Sequence, residues 1–278
     1  MFAKKLKHKN VKKIILLFSI AGTILLTSCS KSDDDNSAPP SVLLKRTIET
    51  GADGSVTATN ITYNGNKLIN AISIEGADRD ESRNTYTGDL ITKNELFTNN
   101  LLKVTEMYEY NASNQLVKVT TTETGDPSVF RSIYVHNANG TVSVTTYRGN
   151  TTDQGQQTST GTIYFTNGDI SRVERISTGS TSMRTYRYSY DDKNNPFKNI
   201  TGLNKIALAG GDKPGIVHNM VQRIAEEQGF PENNSTTTVQ YIYNADNYPV
   251  TSSESRLRNG TTTNTGVLSN IFISINFQ

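Results

Sequence analysis

One short pattern recurs seven times along the chain: ITYNGNKLINAI from Ile61, TYTGDLITK from Thr85, YEYNASNQLVKV from Tyr108, YVHNANGTVSV from Tyr134, YFTNGDISRV from Tyr164, YSYDDKNNPFKNI from Tyr188 and YIYNADNYPV from Tyr241. Each copy alternates an aromatic with other residues, passes through Asn, Asp or Gly, and resumes alternation after an apolar residue. Alternation with a period of two places side chains on one face of a strand, and the Asn/Asp/Gly step is the signature of a tight turn between antiparallel strands. Tyr63, Tyr86, Tyr110 and His136 follow one another at 23, 24 and 26 residues, so each period holds two strands, one tight turn and one looser return. The return loops are the hydrophilic stretches 123–128, 149–160 and 177–182. Repetition at this period predicts an all-β domain of at least twelve strands, an antiparallel meander of repeated β-hairpins forming a large twisted or curled sheet. Tyr63, Leu68, Tyr86, Tyr110, Leu116, Val119, Tyr134, Val142, Val144, Tyr164, Ile170, Val173, Tyr188, Tyr190, Phe197, Ile200, Tyr241 and Tyr243 are the expected inward positions.

The step from Tyr190 to Tyr243 spans 53 residues, about two periods with extra chain inside. Ile216, Met220 and Ile224 recur at helical spacing before Gly229 and Pro231, which read as a helix stop. The same stretch, VQRIAE from Val221, matches ISRVER from Ile170 as the second strand of a hairpin. Register with neighbouring repeats favours the strand, because propensity differences amount to tenths of a kcal/mol per residue. An insertion near 201–219, with room for one helical turn, follows from that choice.

Only 34% of residues are hydrophobic, which taken alone would suit a disordered chain. The 13 tyrosines and many Thr and Val residues instead suit pleated, half-solvated strands.

Upstream of the repeats lies a different kind of text. Residues 1–13 carry six lysines and no acid, and residues 14–26 are apolar but shorter than the ~20 residues a membrane helix needs. The segment 1–28 therefore reads as a signal peptide. It ends in Leu26-Thr27-Ser28-Cys29, which resembles the lipobox of bacterial lipoproteins; the resemblance implies lipidation of Cys29 and a mature chain that begins there. Cys29 is the sole cysteine, so no intramolecular disulfide forms. Ser32-Asp33-Asp34-Asp35 resembles the acidic export signal of Bacteroidetes lipoproteins, implying display on the outer membrane facing the exterior; a solvated tether, with placement on the periplasmic face, is the alternative. Residues 29–41 form a flexible acidic and Pro-bearing linker, and 42–278 a single domain.

Removing residues 1–28 changes the electrostatics. The whole chain has 28 basic against 26 acidic residues; without the six lysines it has 22 against 26, a net charge of minus four. A mildly acidic domain without a basic run offers no footprint for nucleic acid.

The recurring tyrosine, Asn/Asp turn and apolar residue, above all in YSYDDKNNPFKNI and YIYNADNYPV, resemble the uncharacterised tyrosine-rich lipoproteins of Bacteroidetes and, remotely, the YD-type repeats of large bacterial surface proteins. The resemblance covers residues 42–278 and brings no catalytic residue with it. His136 and Thr166 stand where the pattern has tyrosine.

Motifs with chemistry are few. His136 reads as a tyrosine stand-in and His218 as a loop residue, and two histidines with no further thiol make no His/Cys zinc site. Asp191-Asp192-Lys193-Asn194-Asn195 lacks the Gly and Glu of a calcium loop and reads as a turn. Gly210-Gly211-Asp212-Lys213 lacks the residues of a phosphate loop. No catalytic residue, metal or cofactor is assigned. The expected function is a non-catalytic envelope lipoprotein held to the membrane by its lipid, binding a glycan or protein; the alternative is a surface hydrolase using unidentified carboxylates.

Overall fold

The computed structural model describes residues 41–210 and 215–275. The lipidation site Cys29 and the acidic signal Ser32, Asp33, Asp34 and Asp35 lie outside them. Sixteen antiparallel strands form the fold: β1 (Ser41–Gly51), β2 (Val56–Asn64), β3 (Lys67–Glu75), β4 (Asp78–Thr87), β5 (Leu90–Thr98), β6 (Leu101–Tyr110), β7 (Leu116–Glu123) and β8 (Val129–His136) come first. They continue as β9 (Val142–Gly149), β10 (Gln156–Thr166), β11 (Asp169–Ser177), β12 (Met183–Tyr190), β13 (Met220–Glu227), β14 (Ser235–Tyr243), β15 (Pro249–Arg258) and β16 (Thr261–Ile275). Neighbours in sequence are neighbours in space, and β1 pairs with β16 from Ser41 opposite Ile275 to Gly51 opposite Gly266.

The expected meander is present, but the twisted or curled sheet is not: the sheet is a closed barrel. Closure depends on residues 41–51 and 261–275, which lie outside the seven copies of the repeat and so gave no signal. It removes both sheet edges, where unpaired backbone groups would otherwise recruit other strands. The ambiguous segment is strand β13, paired on both sides.

The repeat has a structural meaning at each tight turn. Asn111, Asn137 and Asn244 each donate a backbone N–H across a five-residue turn, to Gln115, Thr141 and Tyr248 respectively, and the carboxamides of Asn111 and Asn244 accept backbone N–H groups inside their turns. Past the turn the ladder skips one residue, a β-bulge, at β3, β5, β7, β11, β13 and β15. A ring from the following hairpin then donates to the carbonyl beside the bulge: Tyr63 to Leu44 (2.7 Å), Tyr110 to Ile91 (2.6 Å), Tyr190 to Ile170 (2.6 Å) and Tyr241 to Met220 (2.9 Å). His136 Nε2 makes the same contact with the Leu116 carbonyl at 2.9 Å. A carbonyl only accepts, so Nε2 carries the proton, and the histidine stands in for tyrosine as the repeat suggested. His136→Tyr should preserve this donor and thermal stability, whereas His136→Phe strands the carbonyl and should cost ~1–3 kcal/mol in denaturant unfolding. Equal midpoints for the two variants would remove this role.

Tyr164 does not point inward. Its hydroxyl donates to Glu174 (2.9 Å) and Arg172 stacks over its ring on the outer face. The two-residue turn Asn167-Gly168 makes Phe165 the partner of Ile170, so Phe165 and not Thr166 occupies the tyrosine place of that hairpin.

Inside the barrel, residues 197–210, between β12 and β13, fold back as a plug. It contains one helical turn, α1 (Leu203–Ile206), and a 3-10 turn Ala207–Gly210. Phe197, Ile200 and Leu203 pack with Leu43, Leu68 and Tyr63 of β1–β3. Leu203, Ile206, Leu208 and Ala209 pack with Ile91, Tyr108, Leu116, Tyr134, Val142, Ile163, Ile170, Val173 and Tyr188 of β5–β12. Contacts that span so much of the ring place the plug in the lumen. Gly202 admits it: its φ is +77°, and a Cβ there would lie 2.6 Å from the Asp89 carbonyl oxygen.

Candidate functional site

The plug closes one end of the barrel, the rim that carries the tight turns and both Ser41 and Ile275. Two carboxylates hold it there. Asp169, 1% exposed, accepts the backbone N–H groups of Val217 (2.7 Å) and His218 (3.1 Å) and lies 2.8 Å from His218 Nδ1. Asp191 accepts from the backbone of Lys193 (2.9 Å) and Asn219 (3.1 Å) and from the Tyr243 hydroxyl. Asn199 reaches the Val42 carbonyl and the Tyr248 hydroxyl, and Tyr86 donates to Thr201. His218 is thus a clamp on the plug, and the Asp191–Asn195 stretch is a hydrogen-bonded turn. Gly211, Asp212 and Lys213 lie outside the described residues. Among the described residues, no group of three or more His, Cys, Asp or Glu side chains gathers as a metal site.

Residues paired across an antiparallel ladder share a face, so the core contacts fix which side of every strand looks inward. Beyond the tyrosines, toward the opposite rim, the inner wall turns polar and its charges segregate. Glu49, Glu75, Asp80, Glu106 and Glu123 line the β1–β7 side. Arg148, Arg175, Arg184, Arg223 and Arg256 line β9–β15, with Glu227 and Glu254 among them. Several acids are held by neighbours on their own wall: Thr57 donates to Glu75, Thr98 to Asp80 and Tyr108 to Glu106. Two cavities open here. One of about 300 Å³ is floored by Leu208, Ala209 and Gly210 and walled by Tyr134, Tyr186, Ser132, Thr146 and Ser159. The second, about 210 Å³, is framed by Arg184, Arg223, Arg256 and Arg258 and shares Tyr186 with the first.

Sequence reasoning missed these arginines. Their separation along the chain hid them, but Arg184-Thr185-Tyr186-Arg187-Tyr188 carried a usable signal: Arg184 stands two and four residues from inward tyrosines and shares their face.

The outer wall is charged as well. Lys93 pairs with Glu95 (2.9 Å), Lys118 with Glu109 (2.8 Å), Arg172 with Glu174 (3.3 Å) and Arg187 with Glu226. Arg79 and Arg83 both contact Glu81 at 2.7 Å, and these guanidinium groups hold the Glu81 carboxyl down at about 2. No helix among the described residues is long and apolar enough to cross a membrane.

No protein-family model and no curated protein matches the sequence. Solved structures do match in fold. A porin-like protein from Bacteroides uniformis superposes with a TM-score of 0.53 at 14% identity, over 85% of this chain and 98% of its own. A porin-like protein from Bacteroides vulgatus gives 0.52 at 12%, over 83% and 98%. The chain shares their barrel fold.

Proposed function

We propose that this chain is a lipid-tethered envelope barrel that stands beside the outer membrane, facing the exterior, and binds a ligand in its open, polar half without catalysing a reaction. The observation that carries this reading is the pairing of a plugged rim with a charged outer wall. A barrel wall that faces lipid presents an apolar band ~25 Å tall, and Lys or Arg at the bilayer midplane costs ~2–4 kcal/mol each. Here Lys93, Glu95, Lys118, Arg172 and Arg187 lie within strands on the outside. A wall of that kind suits water, and attachment then falls to Cys29 and its acyl chains. The tether joins the barrel at Ser41, on the plugged rim. Twelve linker residues reach at most ~40 Å, so the closed end stays near the membrane while the polar mouth looks away from it.

In the native host, the parent protein should incorporate labelled palmitate and require detergent for release. Cys29→Ser should be released folded and soluble without detergent. A Cys29→Ser protein that still partitions with the membrane would show that the barrel itself spans it.

A further inference from the structure

The arginine-framed cavity holds more positive charge than its neighbours satisfy. Arg184 is bound by Glu227, which also accepts from Asn233 (3.0 Å), and Glu226 is bound by Arg187 on the outer side. Arg258 donates to the Glu232 carbonyl and to Asn233. Arg223 has no hydrogen-bond or ion-pair partner among the described residues, and its Nε is buried without one; the Nε of Arg256 is likewise buried and unmatched, although its terminal nitrogen reaches Ser235 (3.2 Å). Arg223 and Arg256 face the same residue, Thr237, from the strands on either side of β14, so their guanidinium groups stand on one patch of inner wall. A buried, unmatched N–H costs ~1–3 kcal/mol, more when charged, and an arginine fork is matched best by a planar or tetrahedral oxyanion.

The adjoining cavity has a different character. Ser132, Thr146 and Ser159 offer hydroxyls, Tyr134 and Tyr186 offer rings, and Leu208 to Gly210 give an apolar floor. Gly161 leaves a gap between Ser159 and Ile163 on that wall, and a Cβ there would lie 2.4 Å from the Glu174 carbonyl oxygen. Hydroxyls set among aromatic faces suit a sugar ring, which is polar at its edge and apolar on its face.

We infer that the two cavities form one subsite for an acidic saccharide: Arg223 and Arg256 take a carboxylate or sulfate group, and the cavity past Tyr186 takes the sugar ring that bears it. This rests on the reading of the polar half of the lumen as a binding vestibule.

The test is calorimetric titration of the full chain carrying Cys29→Ser with oligogalacturonate, a sulfated disaccharide, a neutral disaccharide and inorganic sulfate. The acidic sugars should bind, with affinity falling as salt rises, and Arg223→Gln with Arg256→Gln should weaken them at least tenfold while Lys118→Gln on the outer wall leaves them unchanged. Should the double variant fold poorly, the Nε–H resonances of Arg223 and Arg256 in the parent protein report the same contact, and should shift with the acidic sugars. Unshifted resonances, or equal affinity in the double variant, would overturn the assignment. Inorganic sulfate binding as tightly as the sulfated disaccharide would reduce the site to an ion site and overturn the sugar half. Binding of the neutral disaccharide alone would keep the vestibule and reject the anion; no binding of any probe would reject the acidic-saccharide subsite.

Discussion

Raising the pH from about 8 to about 11.5 should unfold this barrel cooperatively, with tyrosinate absorbance and loss of the β-sheet circular dichroism rising together. Burial pushes the phenols of Tyr86 and Tyr134 up to about 12, and those of Tyr63, Tyr108, Tyr110, Tyr190, Tyr241 and Tyr243 well above 10. A raised folded value means that the folded state favours the neutral phenol. Its contribution is intact below 10, the unfolded value, and is lost as the pH climbs through the folded one. For a pair of values near 10 and 12, the loss at pH ~11.5 is about 2 kcal/mol per ring. A few such rings then withdraw as much as the ~5–15 kcal/mol that keeps a typical domain folded. The hydroxyls that ionise are also the donors to the bulge carbonyls of Leu44, Ile91, Ile170 and Met220, so ionisation removes the hairpin contacts at the same moment. A spectrum that stays β-rich after all tyrosines have ionised would refute this account.

Leu116→Ala should cost ~3–5 kcal/mol in denaturant unfolding. Leu116 is 1% exposed and belongs to the cluster that joins the β5–β12 wall to the plug. Truncation of a buried leucine loses transfer free energy and leaves a cavity, at ~2–5 kcal/mol overall, and the upper part of that range applies where the surroundings cannot collapse. Here they are held apart by barrel hydrogen bonds on one side and by the clamped plug on the other. The carbonyl of Leu116 also receives His136, so a shift of the backbone into the void would break that contact too. Replacing Leu257, which is exposed on the outer face of β15, should change stability by less than ~0.5 kcal/mol. A Leu116→Ala midpoint that matches the Leu257→Ala midpoint would show that the plug is not packed as described.

The hairpins were legible because alternation and turn residues are local properties, and seven copies reinforced one another. Their inward face was legible for the same reason, save at Tyr164, which stands one residue before Phe165 in the tyrosine place, and in the copy at Tyr188, whose Phe197 and Ile200 stand in the plug and not on a second strand. Closure was not legible, because strand pairing between residues 41–51 and 261–275 depends on ring geometry and leaves no mark in either stretch. Nor did the stretch 201–210 announce itself as a plug: LNKIALAG is an ordinary apolar turn until the ring around it has the width to swallow it. The arginine wall was hidden for a related reason, since Arg184, Arg223 and Arg256 converge only after β12, β13, β14 and β15 are laid side by side.

The β1–β16 pairing also sets the order of events when the chain folds. Every other pairing joins strands consecutive in sequence, but Ser41 must find Ile275, 234 residues away. Local hairpins form early because little chain must be closed to make them, and the longest loop closes last. A growing chain therefore carries an unzipped seam for as long as it takes to deliver β16, and along that seam β1 offers a free edge to any extended segment nearby. Lys45 at the skipped position of β1 and Arg46 beside it put two charges on that edge, a common guard against strand addition. The seam, more than the core, is where a holding chaperone would gain most, and where loss of the last strand would turn one closed ring into a sheet with two sticky edges.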